Sequence, residues 1–348
     1  MTGKPDARPC RMGGKTQSSR RRLKSNSGSL ALRPCARAGL LSAVSGDLQT
    51  TVLKGVSRSF YLTLRLLPGP MRSAASLGYL LARTSDTIAD TVTIPVAERL
   101  ALLARYGEAV ARGGPAGLDK EARLLAAADP REAILLERGD EILEWLAKTP
   151  PAEAALVREV VAIIITGQRL DLERFADASE SAVISLRNDD ELEDYAWRVA
   201  GCVGAFWTKL GFLTLGRSFS NADEATLLEQ GIAYGKGLQL VNILRDLPGD
   251  LTAGRCYLPV ADSGDRLALL ASHARWLETA SEWVEQGEAY AATLRMRRLR
   301  MATVLPAWLA QETLEAMRGA DWERLSQRVK VPRSRVYRLL WDAWIWNP

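Results

Sequence analysis

Residues 79–90 read YLLARTSDTIAD, and this stretch carries four chemically active side chains at helical spacing. The intervals of four, three and four residues bring them to one face of an α-helix: Tyr79, Arg83, Asp86 and Asp90. The residues between them are mostly apolar or small, so the helix is predicted to be packed on several sides. Carboxylates on such a helix are costly unless they are paired or bound to a cation. Two interpretations stay open here: a solvated face on which Arg83 pairs with Asp86, or a cation site.

A second stretch, QLVNILRDLPGD at residues 239–250, has the same character. Three of its polar side chains share one helical face, and a further aspartate follows at a separation of four: Gln239, Asn242, Asp246 and Asp250. Mg²⁺ prefers hard oxygen ligands and takes one or two carboxylates together with waters and substrate phosphates. The two stretches therefore predict two aspartate-rich helices that hold a diphosphate through bridging Mg²⁺. The apolar remainder of the bundle would house a hydrocarbon tail.

Pro248 and Gly249 interrupt the second stretch. The residue before a proline avoids the α region, so this helix is predicted to end near Leu247. Asp250 is then expected to reach the metal from a loop.

From about residue 46 onward, the composition and the spacing of apolar residues are typical of α-helices. Ala, Leu, Arg and Glu dominate, apolar residues recur at three and four, and Pro- or Gly-rich breaks separate helices rather than domains. No GxGxxG follows a strand-like run, so a dinucleotide-binding Rossmann domain is not predicted. We expect one all-α domain over residues 46–348, with 47% apolar residues to build its core.

The positive charge of the chain is concentrated in its first 45 residues. The net charge of this segment is +9. The whole chain has a net charge of +5, so the remaining residues together carry −4. The body is mildly acidic, so an argument from overall charge toward nucleic acid does not hold, and no nucleic-acid partner is expected. Residues 1–45 are predicted to be a disordered basic extension or an over-called start, with an organelle transit peptide as the alternative.

The scarcity of histidine and the scatter of the cysteines exclude several classes of site. His273 is the single histidine, and this scarcity argues against Ser-His-Asp triads and most zinc sites. His273 lies in a polar stretch of predicted helix and is expected to be solvent-exposed. The four cysteines show no disulfide or CxxC pattern, which fits a reducing cytoplasm. Cys202 and Cys256 are predicted to be small buried hydrophobes.

Membrane contact is predicted to be peripheral at most. No apolar run reaches the roughly 18 to 20 residues of a spanning helix. The cluster of Trp341, Trp344 and Trp346 is most simply the packing of a last helix, although interfacial tryptophans can also anchor a protein to a bilayer. A cytoplasmic protein, with membrane-peripheral contact as the alternative, is expected.

Six motifs occur in an order that resembles the squalene/phytoene synthase family. They span about 200 residues and read SRSF at 57–60, DTIAD at 86–90, GQRLDLERF at 167–175, VAGCVG at 199–204, QLVNILRDLPGD at 239–250 and GRCYLP at 254–259. Each motif is weak alone, and the ordered set is specific. The resemblance implies a single isoprenoid-synthase helical bundle with a central cavity.

The resemblance also assigns roles to individual positions. It implies Mg²⁺ ligands at Asp86, Asp90, Asp246 and Asp250. It implies that the remaining motif side chains contact diphosphate or order the site: Arg58, Tyr79, Arg83, Gln239, Asn242 and Arg255.

The residue directly before the VAG motif, which is implicated in proton transfer in the family, differs in this chain. Well-known squalene synthases have a tyrosine directly before VAG, where this chain has Arg198. Tyr195, three residues earlier, could serve instead, or the departing diphosphate could be the base. Phe206 and Trp207 could shield a carbocation, with plain core packing as the other interpretation.

The resemblance implies condensation of two farnesyl diphosphates through a cyclopropyl intermediate and reduction by NADPH to squalene. Enzymes of this family do this without a Rossmann domain. Residues 202–208 and 247–250 are more similar to bacterial squalene-forming members than to phytoene-forming ones. A phytoene or dehydrosqualene synthase is the nearest alternative. A non-catalytic helical assembly factor is the remote one, because such proteins lose the aspartates that are present here.

Overall fold

The computed structural model describes residues 47–57, 60–125, 129–327 and 329–346. The predicted extension at residues 1–45 and the predicted substrate-binding residue Arg58 lie outside these ranges. Within them the chain is almost entirely helical, which confirms the predicted all-α class.

The described α-helices are, in chain order, α1 (Leu53–Ser57), α2 (Phe60–Leu66), α3 (Gly69–Asp90), α4 (Val96–Arg112), α5 (Asp119–Leu125), α6 (Pro130–Glu137), α7 (Gly139–Lys148), α8 (Pro151–Arg174), α9 (Asp189–Ala196), α10 (Cys202–Leu215), α11 (Glu224–Thr252), α12 (Arg266–Thr293), α13 (Arg297–Met317), α14 (Trp322–Ser326) and α15 (Arg333–Ile345). Short irregular turns accompany them, namely π-helical turns at Leu48–Val52 and Trp197–Gly201 and a 3₁₀ turn at Gly216–Ser218. A two-residue parallel pair joins β1 (Ile184–Ser185) to β2 (Arg255–Cys256).

Local capping chemistry explains where the helices of the site begin. Asp129 accepts hydrogen bonds from the N–H groups of the first turn of α6, and Pro130 follows it at the first helical position. Asp223 and Asp265 cap α11 and α12 in the same way. These caps satisfy N–H groups that a helix start leaves without partners.

The core forms around two groups of helices. One buried cluster is built largely from α3, α4, α8 and α10, and the other from α11, α12 and α13. The π turn at Trp197–Gly201 and α10 cross α11 closely, because Gly201, Gly204, Gly231 and Gly235 remove side chains from the crossing. Cys202 and Cys256 are buried as predicted, and burial raises the pKa of the Cys202 thiol to about 12.

Two predictions about α11 and its neighbour are wrong. The helix does not end near Leu247 but continues through Pro248 to Thr252, so Asp250 is helical. His273 is not exposed but 3% accessible, packed between α12 and α11. The two features meet at one contact, since His273 Nε2 donates a hydrogen bond to the Leu244 carbonyl that Pro248 leaves without its usual helical partner.

Within the continuous helical stretch of residues 189–218, a window of 18 residues has a mean hydropathy of 1.3, so by length and composition alone this stretch of the described chain could cross a membrane. The expectation of no spanning helix concerned uninterrupted apolar runs, and it missed this stretch because charged residues such as Lys209 interrupt it. Central helices of bundles have the same properties. This stretch packs against α8 and α11.

Candidate active site

A polar chamber of about 480 Å³ lies between α3, α8, α9, α11 and β2. Its polar lining contains both aspartates of the first motif and several predicted or neighbouring groups: Asp86, Asp90, Arg99, Gln168, Asp171, Tyr195, Gln239 and Arg255. Residues that are more than 150 positions apart in sequence thus converge on one space. Arg99, Gln168 and Asp171 were not predicted as site residues.

Arg83 is held at the edge of this chamber by two carboxylates. Its Nη1 donates to Asp86 Oδ2 at 2.7 Å, and its Nε donates to Glu132 Oε1 at 3.1 Å. Glu132 also accepts a hydrogen bond from Thr87 and is only 13% exposed at its side chain. The pair of Arg83 and Asp86 therefore exists, but it is part of a half-buried network and not of a solvated face.

Glu132 is a functional candidate that the sequence did not reveal. The Asp129–Pro130 pair that caps α6 predicts a helix start. Which face of α6 meets α3 is decided by tertiary packing, and no local signal encodes it.

The carboxylates that line the chamber, and Asp250 beside Arg255, are in an environment that disfavours their charge. Burial and the neighbouring Asp90 raise the pKa of Asp86 to about 6, although 43% of the Asp86 side chain is open to the chamber. Burial likewise raises the pKa of Asp90, and it raises the pKa values of Asp171 and Asp250 to about 6. Several acidic groups are thus held near one another at a cost that a bound divalent cation would relieve.

Asp171 and two tyrosines form a connected wall of the chamber. Tyr257 donates its hydroxyl to Asp171 Oδ2 at 3.0 Å, and the ring of Tyr195 stacks on that of Tyr257 with centroids 4.9 Å apart. Asp171 Oδ1 is buried and has no hydrogen-bond partner among the described residues. The same holds for Gln168 Oε1 and Arg255 Nε, so donors and acceptors for a ligand are both present. Asp171 lies in the mid-chain motif, which was its only sequence signal.

Only some residues of the second aspartate motif contact the chamber. Gln239 lines it, and Asp250 Oδ1 lies 3.4 Å from Arg255 Nη2. Asp246 pairs with Arg245 on its own helix, and Asn242 is exposed; neither belongs to the lining residues. Tyr79, whose pKa is raised to about 12 by burial, lies beside the chamber with its hydroxyl 3.4 Å from the Val56 carbonyl.

The oxygen atoms of the chamber fit a Mg²⁺ ion whose coordination is completed by phosphate oxygens and waters. No group of three or more His, Cys, Asp or Glu side chains in the described ranges is close enough to hold a metal ion alone. Mg²⁺ does not need such a cage, since it keeps waters and takes phosphate oxygens beside one or two carboxylates. Asp86 and Asp90 at the chamber wall match that requirement.

An apolar cavity of about 270 Å³ adjoins the polar chamber, and Val199 of the VAGCVG motif lines both. Its walls come from α2, α10, α11, α12 and α13 and include Trp207, Tyr234 and Tyr290. Phe206 is 8% exposed and packs beside Gly78, so it belongs to the core. Trp207 is the aromatic residue of this pair that faces the cavity.

Comparison with known proteins identifies the family of the chain. The Squalene/phytoene synthase family model matches residues 53–335. The chain is 27% identical to 15-cis-phytoene synthase of Synechocystis sp., over 83% of this chain and 81% of that protein. It is 31% identical to presqualene diphosphate synthase of Rhodopseudomonas palustris, over 58% of each.

Other relatives and solved structures extend the comparison. The chain spans only 33% of the bifunctional lycopene cyclase/phytoene synthase of Phaeosphaeria nodorum, with 29% identity over 60% of this chain. TcSQS in complex with the ligand E5700 has the same fold, with a TM-score of 0.67, 21% identity and coverage of 87% of this chain and 85% of that one. The chain belongs to the squalene/phytoene synthase family.

Proposed function

We propose that the protein joins two prenyl diphosphates head to head in a Mg²⁺-dependent reaction, with farnesyl diphosphate as the substrate. The observation that carries the proposal is the junction at Val199 of an acidic, arginine-containing chamber with an apolar cavity. An amphipathic substrate with a diphosphate at one end and a hydrocarbon at the other matches that pair of spaces.

The chamber supplies the groups that ionisation of an allylic diphosphate requires. Bound Mg²⁺ would neutralise the departing diphosphate as a Lewis acid. Arg255, whose Nε has no partner among the described residues, and Arg99 present planar donors to phosphate oxygens. Glu132 fixes the orientation of Arg83, so that this charge is in place before the substrate arrives.

The apolar cavity would protect the carbocation that remains. Its walls offer carbon and aromatic surfaces that do not trap a cation, and the rings of Trp207 and Tyr234 offer negative π faces. Few polar atoms line this space, so it offers water few hydrogen-bond partners.

Formation of a cyclopropane from the cation and the second substrate requires loss of a proton. Burial raises the pKa of Tyr195 far above its usual value, so this hydroxyl stays protonated and acts as a donor. Asp171 is the better candidate acceptor on the protein, since its Oδ2 is occupied by Tyr257 and its Oδ1 is free of described partners. The departing diphosphate is the alternative base.

For the second half of the reaction we propose ionisation of presqualene diphosphate and hydride transfer from NADPH to give squalene. The similarity of residues 202–208 and 247–250 to squalene-forming enzymes supports this product. The relatives named presqualene diphosphate synthase favour a second candidate, in which the protein releases the cyclopropyl diphosphate. The relatives named phytoene synthase favour a third, in which geranylgeranyl diphosphate is condensed without reduction.

Product analysis with and without NADPH separates these candidates. We expect squalene from farnesyl diphosphate with Mg²⁺ and NADPH, and dehydrosqualene, hydroxylated products or the stalled intermediate when NADPH is withheld. Geranylgeranyl diphosphate should react more slowly, because its additional isoprene unit needs a longer apolar tunnel. Presqualene diphosphate in both incubations, or dominant phytoene from geranylgeranyl diphosphate, would contradict the squalene proposal.

We also propose that this protein acts in the cytoplasm and docks on an anionic membrane through helix α15. One face of α15 packs on α13, while its other face exposes Tyr337, Trp341, Trp344 and Ile345 by 49% to 69%. The guanidinium of Arg297 lies over the ring of Trp344. Further exposed arginines lie at the start of α13 and on α15: Arg298, Arg333 and Arg338. Aromatic side chains suit the membrane interface, and arginines suit anionic headgroups. An enzyme with a hydrocarbon product gains from such a surface.

The double variant Trp341→Ser, Trp344→Ser should bind anionic vesicles at least about tenfold more weakly, because each buried large apolar side chain contributes about 1.5–3 kcal/mol. Co-sedimentation with phosphatidylcholine vesicles containing phosphatidylserine measures this. Leu267→Ser is the matched control, since Leu267 is 80% exposed on α12. Equal binding by the double variant and the wild type would remove α15 as the docking surface.

A further inference from the structure

The carbonyl of Leu244 is the backbone acceptor that Pro248 deprives of its helical partner. In an α-helix this oxygen accepts from the N–H of the fourth following residue, which here is a proline without an N–H. The proline ring also crowds the same carbonyl. A buried carbonyl without a donor destabilises the folded state, so either another donor satisfies it or the helix ends.

The donor is the single histidine of the chain. His273 lies on α12, is 3% exposed, and places Nε2 3.3 Å from the Leu244 oxygen. A carbonyl only accepts hydrogen bonds, so the proton of this bond is on Nε2. The imidazole therefore replaces the N–H that Pro248 lacks.

A related but different arrangement occurs beside Pro306, which lies inside α13 and deprives the Ala302 carbonyl of its helical donor. Thr303 and Ala307 would bond to each other in an uninterrupted helix. Tyr234 of α11 instead donates its hydroxyl to the Thr303 carbonyl at 2.9 Å and accepts from the Ala307 N–H. Beside each proline a polar side chain from a neighbouring helix bonds to the interrupted backbone. Of the two contacts, that of His273 is made to the carbonyl that the proline itself deprives of a donor, which indicates a specific role for His273.

The position of Pro248 gives this bond a functional consequence. Pro248 lies between Asp246 and Asp250, the two aspartates of the second motif. Because α11 continues to Thr252, Asp250 keeps helical spacing from Asp246 and lies within 3.4 Å of Arg255. A helix that ended at Leu247 would leave Asp250 on a turn.

We infer that His273 is a positioning residue of the second aspartate motif: its hydrogen bond to Leu244 carries α11 across Pro248 and holds Asp250 against Arg255. The structural part of this inference is independent of the reaction. Its effect on ligand binding rests on the proposed Mg²⁺-diphosphate chemistry.

A double-mutant cycle tests the structural part. His273→Phe removes the donor and keeps a ring, while Pro248→Ala restores the missing N–H at residue 248. We expect His273→Phe to lower the Tm by about 2–6 °C in the wild-type background and by much less in Pro248→Ala, because there the Leu244 carbonyl has a helical partner. Hydrogen exchange at the amides of residues 249–253 should accelerate in His273→Phe alone.

Two further variants keep the test decisive. Ser272→Ala is the control, since Ser272 is a buried neighbour on α12 whose hydroxyl has no hydrogen-bond partner among the described residues, and its effect should be equal in both backgrounds. His273→Gln retains an N–H donor and should recover part of the lost protection. If His273→Phe fails to fold, recovery of folded protein in the double variant supports the inference. Equal effects of His273→Phe in both backgrounds would overturn it.

Ligand binding tests the functional part. His273→Phe should need about tenfold more Mg²⁺ for half-maximal binding of a non-hydrolysable farnesyl diphosphate analogue, and Pro248→Ala should reverse most of this, because residues that orient metal ligands typically change affinity about 10–100-fold. An unchanged Mg²⁺ requirement in His273→Phe would overturn this part. A wild-type protein that does not bind the analogue with Mg²⁺ would instead refute the proposed function and leave the coupling in Tm and exchange as the test of His273.

Discussion

Replacing Asp86 or Asp90 with asparagine is expected to lower kcat by at least about 10²–10³, since electrostatic stabilisation of a developing charge is commonly worth several kcal/mol. Both carboxylates line the polar chamber and are the metal ligands that the first motif predicts. Asparagine keeps the size of the side chain and removes the charge that would hold Mg²⁺. Steady-state turnover of farnesyl diphosphate over a range of Mg²⁺ concentrations measures the effect.

The stability of the same variants separates a lost site from a lost fold. The folded pKa of Asp86 is raised to about 6, above its ordinary 3.8, so stability falls as the pH rises through this interval. An asparagine has no charge to bury, and the metal-free variant should be at least as stable as the wild type at pH 7. Asp177→Asn is the matched control, because Asp177 is exposed and lies away from the chamber lining. Full activity of Asp86→Asn and Asp90→Asn in Mg²⁺ would refute the metal site.

Gly204→Ala is expected to lower the free energy of unfolding by about 3 kcal/mol or more, or to prevent folding. A β-carbon at Gly204 would lie 1.8 Å from the carbonyl oxygen of Gly231 and 2.5 Å from its carbonyl carbon. Backbone atoms of a central helix cannot turn aside as a flexible side chain does, so α10 and α11 would have to separate. Chemical denaturation, with circular dichroism as the readout, measures the loss.

Gly107→Ala is the control for this prediction. Gly107 is also inside a long helix, but a β-carbon there meets Ile165 only at 3.7 Å, an ordinary contact. Since alanine favours the helix over glycine by about 0.5–1 kcal/mol, this variant should be unchanged or more stable. Similar stability of Gly204→Ala and the wild type would show that the close crossing of α10 and α11 is not needed.

Periodic patterns in the sequence were sufficient to predict the helical class and the first aspartate motif. The spacing of Asp86 and Asp90 depends only on the helix that carries them, and both face the chamber. The role of Gly204 in the VAGCVG motif was not evident, because its cause is the backbone of Gly231 on another helix. Glu132 and Asp171 were missed for the same reason, since their partners are 49 and 86 positions away.

The region around Pro248 shows how tertiary contacts override a local rule. The residue before a proline usually leaves the α conformation, and the predicted helix end followed from that rule. The rule does not hold here, since α11 stays helical through Leu247, and His273, 29 positions after Leu244, supplies a donor to the Leu244 carbonyl. The expected exposure of His273 was wrong for the same reason, since its function lies in a backbone contact that its polar neighbours in sequence do not indicate.

The central claim is that two prenyl diphosphates are joined head to head in the chamber. Incubation of the wild-type protein with farnesyl diphosphate as the only prenyl substrate, with Mg²⁺ or with EDTA, tests it most directly through the carbon skeleton formed and the inorganic diphosphate released. We predict, with Mg²⁺ and not with EDTA, a thirty-carbon product joined through the two carbons that carried diphosphate. Formation of each cyclopropyl diphosphate should release one inorganic diphosphate and one proton. Conversion of this intermediate to a hydrocarbon should release the second diphosphate. Diphosphate release without a thirty-carbon product, or no reaction with either farnesyl or geranylgeranyl diphosphate, would contradict it.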